Sequence, residues 1–209
     1  MNSLTLREAI YGRRSVRKFK QEEVPMVLIN ELIDAAIQAP SACNFQEWKF
    51  IIVRESDRKI FSNNILEEAP VIIVVAYRND IDNVTGYIHK DYVQSAAAAI
   101  ENLLLTAYAK GLGACWVCDI PESSRLQVHF ALPENYEVLA AVAIGYCDEN
   151  PNTMAHKLFH EKDAGSFDSH KRKYTVDECV YLEYFSASDR GFLKPSPNSA
   201  PNAVRNYWL

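Results

Sequence analysis

Gly12-Arg13-Arg14-Ser15-Val16-Arg17-Lys18-Phe19 is the stretch around which the rest of the chain arranges itself. The protein is acidic overall, with 22 Lys+Arg against 27 Asp+Glu. Its first twenty residues nevertheless hold Arg7, Arg13, Arg14, Arg17, Lys18 and Lys20 against a single acid, Glu8. Such a local reversal of charge calls for solvent or for an anion. Guanidinium forks match phosphate oxygens bidentately, and Ser15 adds a hydroxyl donor among them. Taken alone, the cluster fits a solvated, mixed-charge helix end better than it fits a phosphate site.

The whole chain narrows the choice. A length of 209 residues, 48% hydrophobic, suits one globular domain with a real core. No apolar run is long enough to span a bilayer, and no apolar segment precedes a cleavage site at the N-terminus. These features predict a cytoplasmic protein whose five cysteines are reduced thiols. A net charge of −5 argues against nucleic acid as the main partner.

Working outward, Thr5-Leu6-Arg7-Glu8 has the pattern of a capping box, which predicts a short helix to about Tyr11 and leaves the basic cluster on the loop after it. Pro25 suits the start of a second helix, with an apolar face at Leu28, Leu32, Ala35 and Ala39, that stops before Pro40. The polar loop from Pro40 to Trp48 leads into a strand at 49–53, and Ser56 is positioned to cap a helix through about Leu66. Val71 to Ala76 is continuously apolar, as in a strand covered on both faces. Asp91 to Lys110 is a long helix with little polar face, hence a buried one, and Gly111 is a good residue to end it. A strand at 114–118, a helix opened by Pro121 and a strand from Tyr136 to Tyr146 complete the pattern. Residues 148–169 show little periodicity, and a second basic knot, His170-Lys171-Arg172-Lys173, follows. The organisation expected is a domain over 1–185 and an extended tail over 186–209. That tail is too rich in Ser, Pro, Asn and Ala to fold alone, so it is expected to dock on a partner subunit or on its own.

Several constellations could carry chemistry. Cys115-x-x-Cys118 lacks a second CxxC, and in a strand two residues three apart point to opposite faces, which suits packing better than a metal or a redox pair. His156 and His160 have the spacing of ligands on one helix face, but no neighbouring pattern supports a metal. Gly111-x-Gly113 is too short for a dinucleotide fingerprint. What remains is an anion site drawn from two basic clusters, with a Ser/Asn/Gln loop between them whose amides suit a flat, amide-bearing ring.

Four blocks then give the chain a resemblance. "RRSVRKF" at 13–19, "APSACNFQEW" at 39–48, "AIENLLLTAYAKGLGACW" at 99–116 and "KRKYTVDECV" at 171–180 stand in the order found in the FMN-dependent nitroreductase family, which the sequence resembles. The resemblance implies an α+β fold, a mostly antiparallel sheet wrapped by helices around a long buried central helix. It also implies an intimate homodimer with two FMN molecules at its interface. By position, Arg13, Arg14 and Ser15 would hold the phosphate and ribityl groups, and Arg17 would lie by the N1/O2 edge of the ring. Lys171 and Arg172 would complete the phosphate site. Pro40, Ser41, Ala42 and Asn44 would come from the other subunit, and Ala114 and Cys115 would pass near flavin N5.

The activity implied is transfer of hydride from NAD(P)H to flavin, then of electrons to a small planar acceptor such as a nitroaromatic or quinone, in a ping-pong cycle. The flavin carries that chemistry, so no dedicated catalytic side chain is expected. Another reaction on the same flavin, such as dehalogenation or dehydrogenation, a non-catalytic flavin-binding protein, and a thiol redox protein are the rival readings. Glu47 stands where the family usually has proline, and the connection before the long helix is short. Both departures bear on the acceptor rather than on the cofactor.

Overall fold

A computed structural model describes residues 4–53, 55–79 and 91–148. Lys171, Arg172, His156, His160, the 148–169 region beyond Asp148 and the tail from Ser186 lie outside the described residues.

Among the described residues, four strands form one antiparallel sheet: β1 (Trp48–Ile52), β2 (Val71–Arg78), β3 (Gly113–Val117) and β4 (Tyr136–Gly145), in the order β1-β2-β4-β3. Register follows burial. Val71 faces Ile144 and Ile73 faces Val142 across the central pair, so matched apolar residues share a face. A bulge between Val75 and Ala76 shifts the pairing, so that Ala76 meets Val138 rather than Leu139.

The continuous apolar run of β2 is explained by two cores. Ile73 and Val75 pack with α2 (Met26–Ile37) and α4 (Asp91–Ala109), whereas Ile72 and Val74 pack with Phe61, Leu66, Leu126 and the N-terminal Val16 and Phe19. On α4 the buried positions are Ser95, Ala96, Ala99, Ile100, Leu103, Leu104 and Ala107, the three-and-four spacing of one helix face. Ala97, Glu101, Leu105 and Thr106 remain half-buried, so the outer face of the helix is only partly covered. Gly111 ends this region with φ 76°, a conformation glycine adopts without a Cβ penalty.

One sequence expectation fails in its form. No single helix runs from Ser56 to Leu66; a 3-10 stretch, Glu55–Phe61, is followed by the four-residue α3 (Asn64–Glu67). Ser62 lies at φ 49°, which breaks the helical path, and Asn63 caps α3 by accepting from the amides of Ile65 and Leu66. Elsewhere the shifts are at the ends. The second helix stops at Ile37 rather than near Ala39, and α5 (Ser123–His129) begins two residues after Pro121.

Candidate functional site

The site is built from the N-terminus. Thr5 and Glu8 form the expected capping box, the Glu8 amide donating to Thr5 Oγ1 at 3.2 Å and the Thr5 amide to Glu8 Oε2 at 2.7 Å. Two hydrogen bonds to Thr5, backbone first, hold the Glu8 carboxyl below its ordinary value. The helix they start, α1 (Leu6–Gly12), ends against α4, where a Cβ on Gly12 would come 2.8 Å from Cζ of Tyr108. A Cβ here would require the Tyr108 ring to shift.

Beyond α1 the chain runs along the free edge of β3. Ser15 forms a parallel bridge with Ala114, and the Val16 amide donates to the Ala114 carbonyl at 3.0 Å. Lys20 donates to Tyr146 at 2.9 Å, and Phe19 bridges Cys147. Val16 and Phe19 enter the second core while Arg13, Arg14, Ser15 and Arg17 stay half-buried. A Cβ on Gly113 would lie 2.7 Å from Cβ of Val16, so glycine is what lets this segment lie flat against the strand. Two pieces of sequence ninety-nine residues apart, nominated separately, are thereby joined.

The guanidiniums are held differently. Arg13 Nε lies 3.4 Å from Oε1 of Glu101 on α4. Arg14 turns back on the end of α1, one terminal nitrogen donating to the carbonyls of Tyr11 (2.8 Å), Gly12 (3.2 Å) and Arg13 (2.8 Å). Arg17 donates to the Ser15 carbonyl at 3.3 Å. Lys18 pairs with Asp148 at 3.4 Å. Guanidiniums gathered in this way are the kind of donor a phosphate dianion takes.

The Pro40–Asn44 loop lies elsewhere. Its Ala42 amide donates to Ser95 Oγ at 3.3 Å, and Ser95 in turn donates to the Asp91 carbonyl at 2.8 Å. The contacts on α4 of Ala42 (Ser95) and of Gly12 (Tyr108) are thirteen residues apart, about 20 Å along the helix at 1.5 Å per residue. Cys43, Asn44 and Gln46 adopt φ 47°, 58° and 51°, and Ser41 Oγ accepts from the Gln46 amide at 3.0 Å. Cys43, Asn44, Phe45 and Gln46 are exposed.

Cys115 is buried in the second core, whereas Cys118 lies one residue beyond the end of β3 and is exposed, so the alternation expected of a strand does not apply to it. Among the described residues no group of three or more His, Cys, Asp or Glu gathers as a metal site would require. Two features escaped sequence reasoning. Glu47 is 5% exposed, and its Oε2 has no hydrogen-bond partner, although its carbonyl extends the β1–β2 ladder to the Arg78 amide at 3.0 Å. Tyr77, stacked on Tyr92 at 4.9 Å, donates to Glu137 Oε2 at 2.7 Å; burial and then that carboxylate push its hydroxyl well above its ordinary pKa.

A family model described as the nitroreductase family matches residues 10–63 and 57–146. A protein of Methanothermobacter thermautotrophicus, named as a candidate NADH dehydrogenase/NAD(P)H nitroreductase, is 34% identical over 162 residues, which are 73% of this chain and 83% of its own. A protein of Thermus thermophilus named NADH dehydrogenase is 28% identical over 191 residues, 74% of this chain and 92% of its own. Among solved structures, a candidate nitroreductase of Desulfovibrio desulfuricans in complex with FMN superposes with a TM-score of 0.68 at 27% identity, covering 88% of this chain and all of that one.

Proposed function

The chain belongs to the nitroreductase family, and from that premise we propose an FMN-dependent oxidoreductase that works at a site shared between two copies of the chain. The observation that carries the reading is the Ser15–Ala114 bridge, which sets Arg13, Arg14 and Arg17 beside the strand that follows the glycine turn. The arginine side chains gathered there fit a phosphate. The relative solved with FMN, and the nicotinamide-dependent names of the relatives, support the choice of cofactor and of electron donor.

FMN, when bound, would supply two-electron transfer from NAD(P)H to a small planar acceptor, a nitroaromatic or quinone, in a ping-pong cycle. The chain's own residues bind and orient. Arg13, Arg14 and Ser15 would hold the phosphate and ribityl groups. Arg17 would place positive charge by the ring edge where negative charge accumulates on reduction. Ala114 and Cys115 would pass the ring along β3. Pro40, Ser41, Ala42 and Asn44 would reach the same ring from the second copy, which is supported by their distance from Arg13–Arg17 along α4 and by the half-covered outer face of that helix.

Anaerobic addition of NADH or NADPH to the FMN-loaded protein should bleach the flavin absorbance, and a nitroaromatic or quinone should restore it. A bound flavin that neither nucleotide bleaches would contradict the reductase and favour a non-catalytic flavin-binding protein.

A further inference from the structure

Within the binding site proposed above, we infer that Glu101 is a positioning residue that aims Arg13 at the phosphate. A guanidinium carries five N–H donors, one on Nε and four on its terminal nitrogens. Glu101 Oε1 lies 3.4 Å from Arg13 Nε, an ion pair without hydrogen-bond alignment, and no other described residue binds the Arg13 side chain. The terminal nitrogens are therefore left for an incoming anion. Arg14 is arranged the opposite way, with a terminal nitrogen committed to three carbonyls at the end of α1. Of the two adjacent arginines, Arg13 keeps both terminal nitrogens open and Arg14 one.

The backbone around Arg13 is fixed on both sides. Gly12 is pressed on Tyr108, seven residues after Glu101 and so on the same face of α4, and Ser15 is bridged to Ala114. With the backbone held, the remaining freedom is that of a long side chain, and a carboxylate beside Nε biases its direction. The Arg13 side chain is 19% exposed and that of Glu101 47%. An exposed pair of this kind adds little to stability. Its effect is on where the terminal nitrogens point.

A carboxylate this close to a bound dianion also repels it, so positioning and repulsion predict opposite signs. Dissociation constants of FMN and of riboflavin, read from quenching of flavin fluorescence, separate them for the wild type, Glu101→Ala and Glu101→Gln. Alanine suits a helix at this position, and glutamine keeps an oxygen acceptor without the charge. Glu101→Ala should weaken FMN roughly three- to fivefold and leave riboflavin unchanged, while Glu101→Gln stays within about twofold of wild type. Unchanged or tighter FMN binding by Glu101→Ala would overturn the inference, as would equal weakening of both ligands. A wild type that binds riboflavin as tightly as FMN would sink the phosphate site itself, and Glu101's role with it.

Discussion

The segment Arg13–Phe19 and the loop Pro40–Gln46 are both assigned to one ligand, yet the chain treats them in opposite ways. The first is sewn into the fold by backbone bonds to Ala114 and Tyr146 and by Val16 and Phe19 in the core. The second hangs on one hydrogen bond from Ala42 to Ser95, with three non-glycine residues at positive φ and four exposed side chains. A left-handed non-glycine residue costs roughly 1 kcal/mol or more. The chain thus spends stability on the loop and gains it from the segment. On the proposed reading, the segment would serve the ligand within its own copy and the loop would serve it in the second.

If the sewn segment is what binds, disturbing its contact with β3 should have the largest effect. Gly113→Val puts a branched side chain where Val16 already lies, at 2.7 Å from the new Cβ. It should cost about 1–3 kcal/mol in a urea titration and weaken FMN roughly tenfold or more. Arg13→Ala comes next. Losing one charge-assisted contact of about 1.5–3 kcal/mol should weaken FMN by roughly an order of magnitude and spare riboflavin, with the melting temperature nearly unchanged. Arg14→Ala differs, since it also strips three carbonyls at the end of α1, and should lower thermal stability as well.

The loop should respond more gently in the isolated chain. Ser95→Ala removes the acceptor for the Ala42 amide, which water can replace, and should cost about 0.5–1 kcal/mol. A cost as large as that of Gly113→Val would erase the contrast between the two regions. The smallest effect is one of pH. The Glu8 carboxyl titrates lower folded than unfolded, so its contribution is present above the ordinary carboxylate range and lost as pH falls through the folded value. Amide exchange in α1, corrected for its intrinsic pH dependence, should quicken on acidification, while the Val16 and Lys20 amides stay protected.

The elements with strong periodicity were legible from sequence: α4 by its apolar spacing, β2 by its unbroken run, and α1 by its capping box. The helix expected from Ser56 was not, because the residue that breaks it, Ser62, carries no signal for a left-handed conformation, although the Asn63-Asn64 pair after it does. The site was legible as a list of residues and not as an arrangement. Nothing local to Ser15 announces a bridge to Ala114; it exists because Gly113 leaves room for Val16. Nor could spacing show that Arg13 and Arg14 divide their roles, since that depends on Glu101 lying across from one and the end of α1 behind the other.

The claim that one site is assembled from two chains is tested most directly by mixing two defective ones. Arg13→Ala damages the segment and Asn44→Glu the loop, and each homodimer alone should bind FMN weakly. Co-refolding the two variants makes mixed dimers in which one site carries both lesions and the other carries neither. Fluorescence titration should then recover one tight FMN site per mixed dimer. No recovery on mixing, with mixed dimers shown to form, would mean that both lesions fall in the site of a single chain, and the shared site would be wrong.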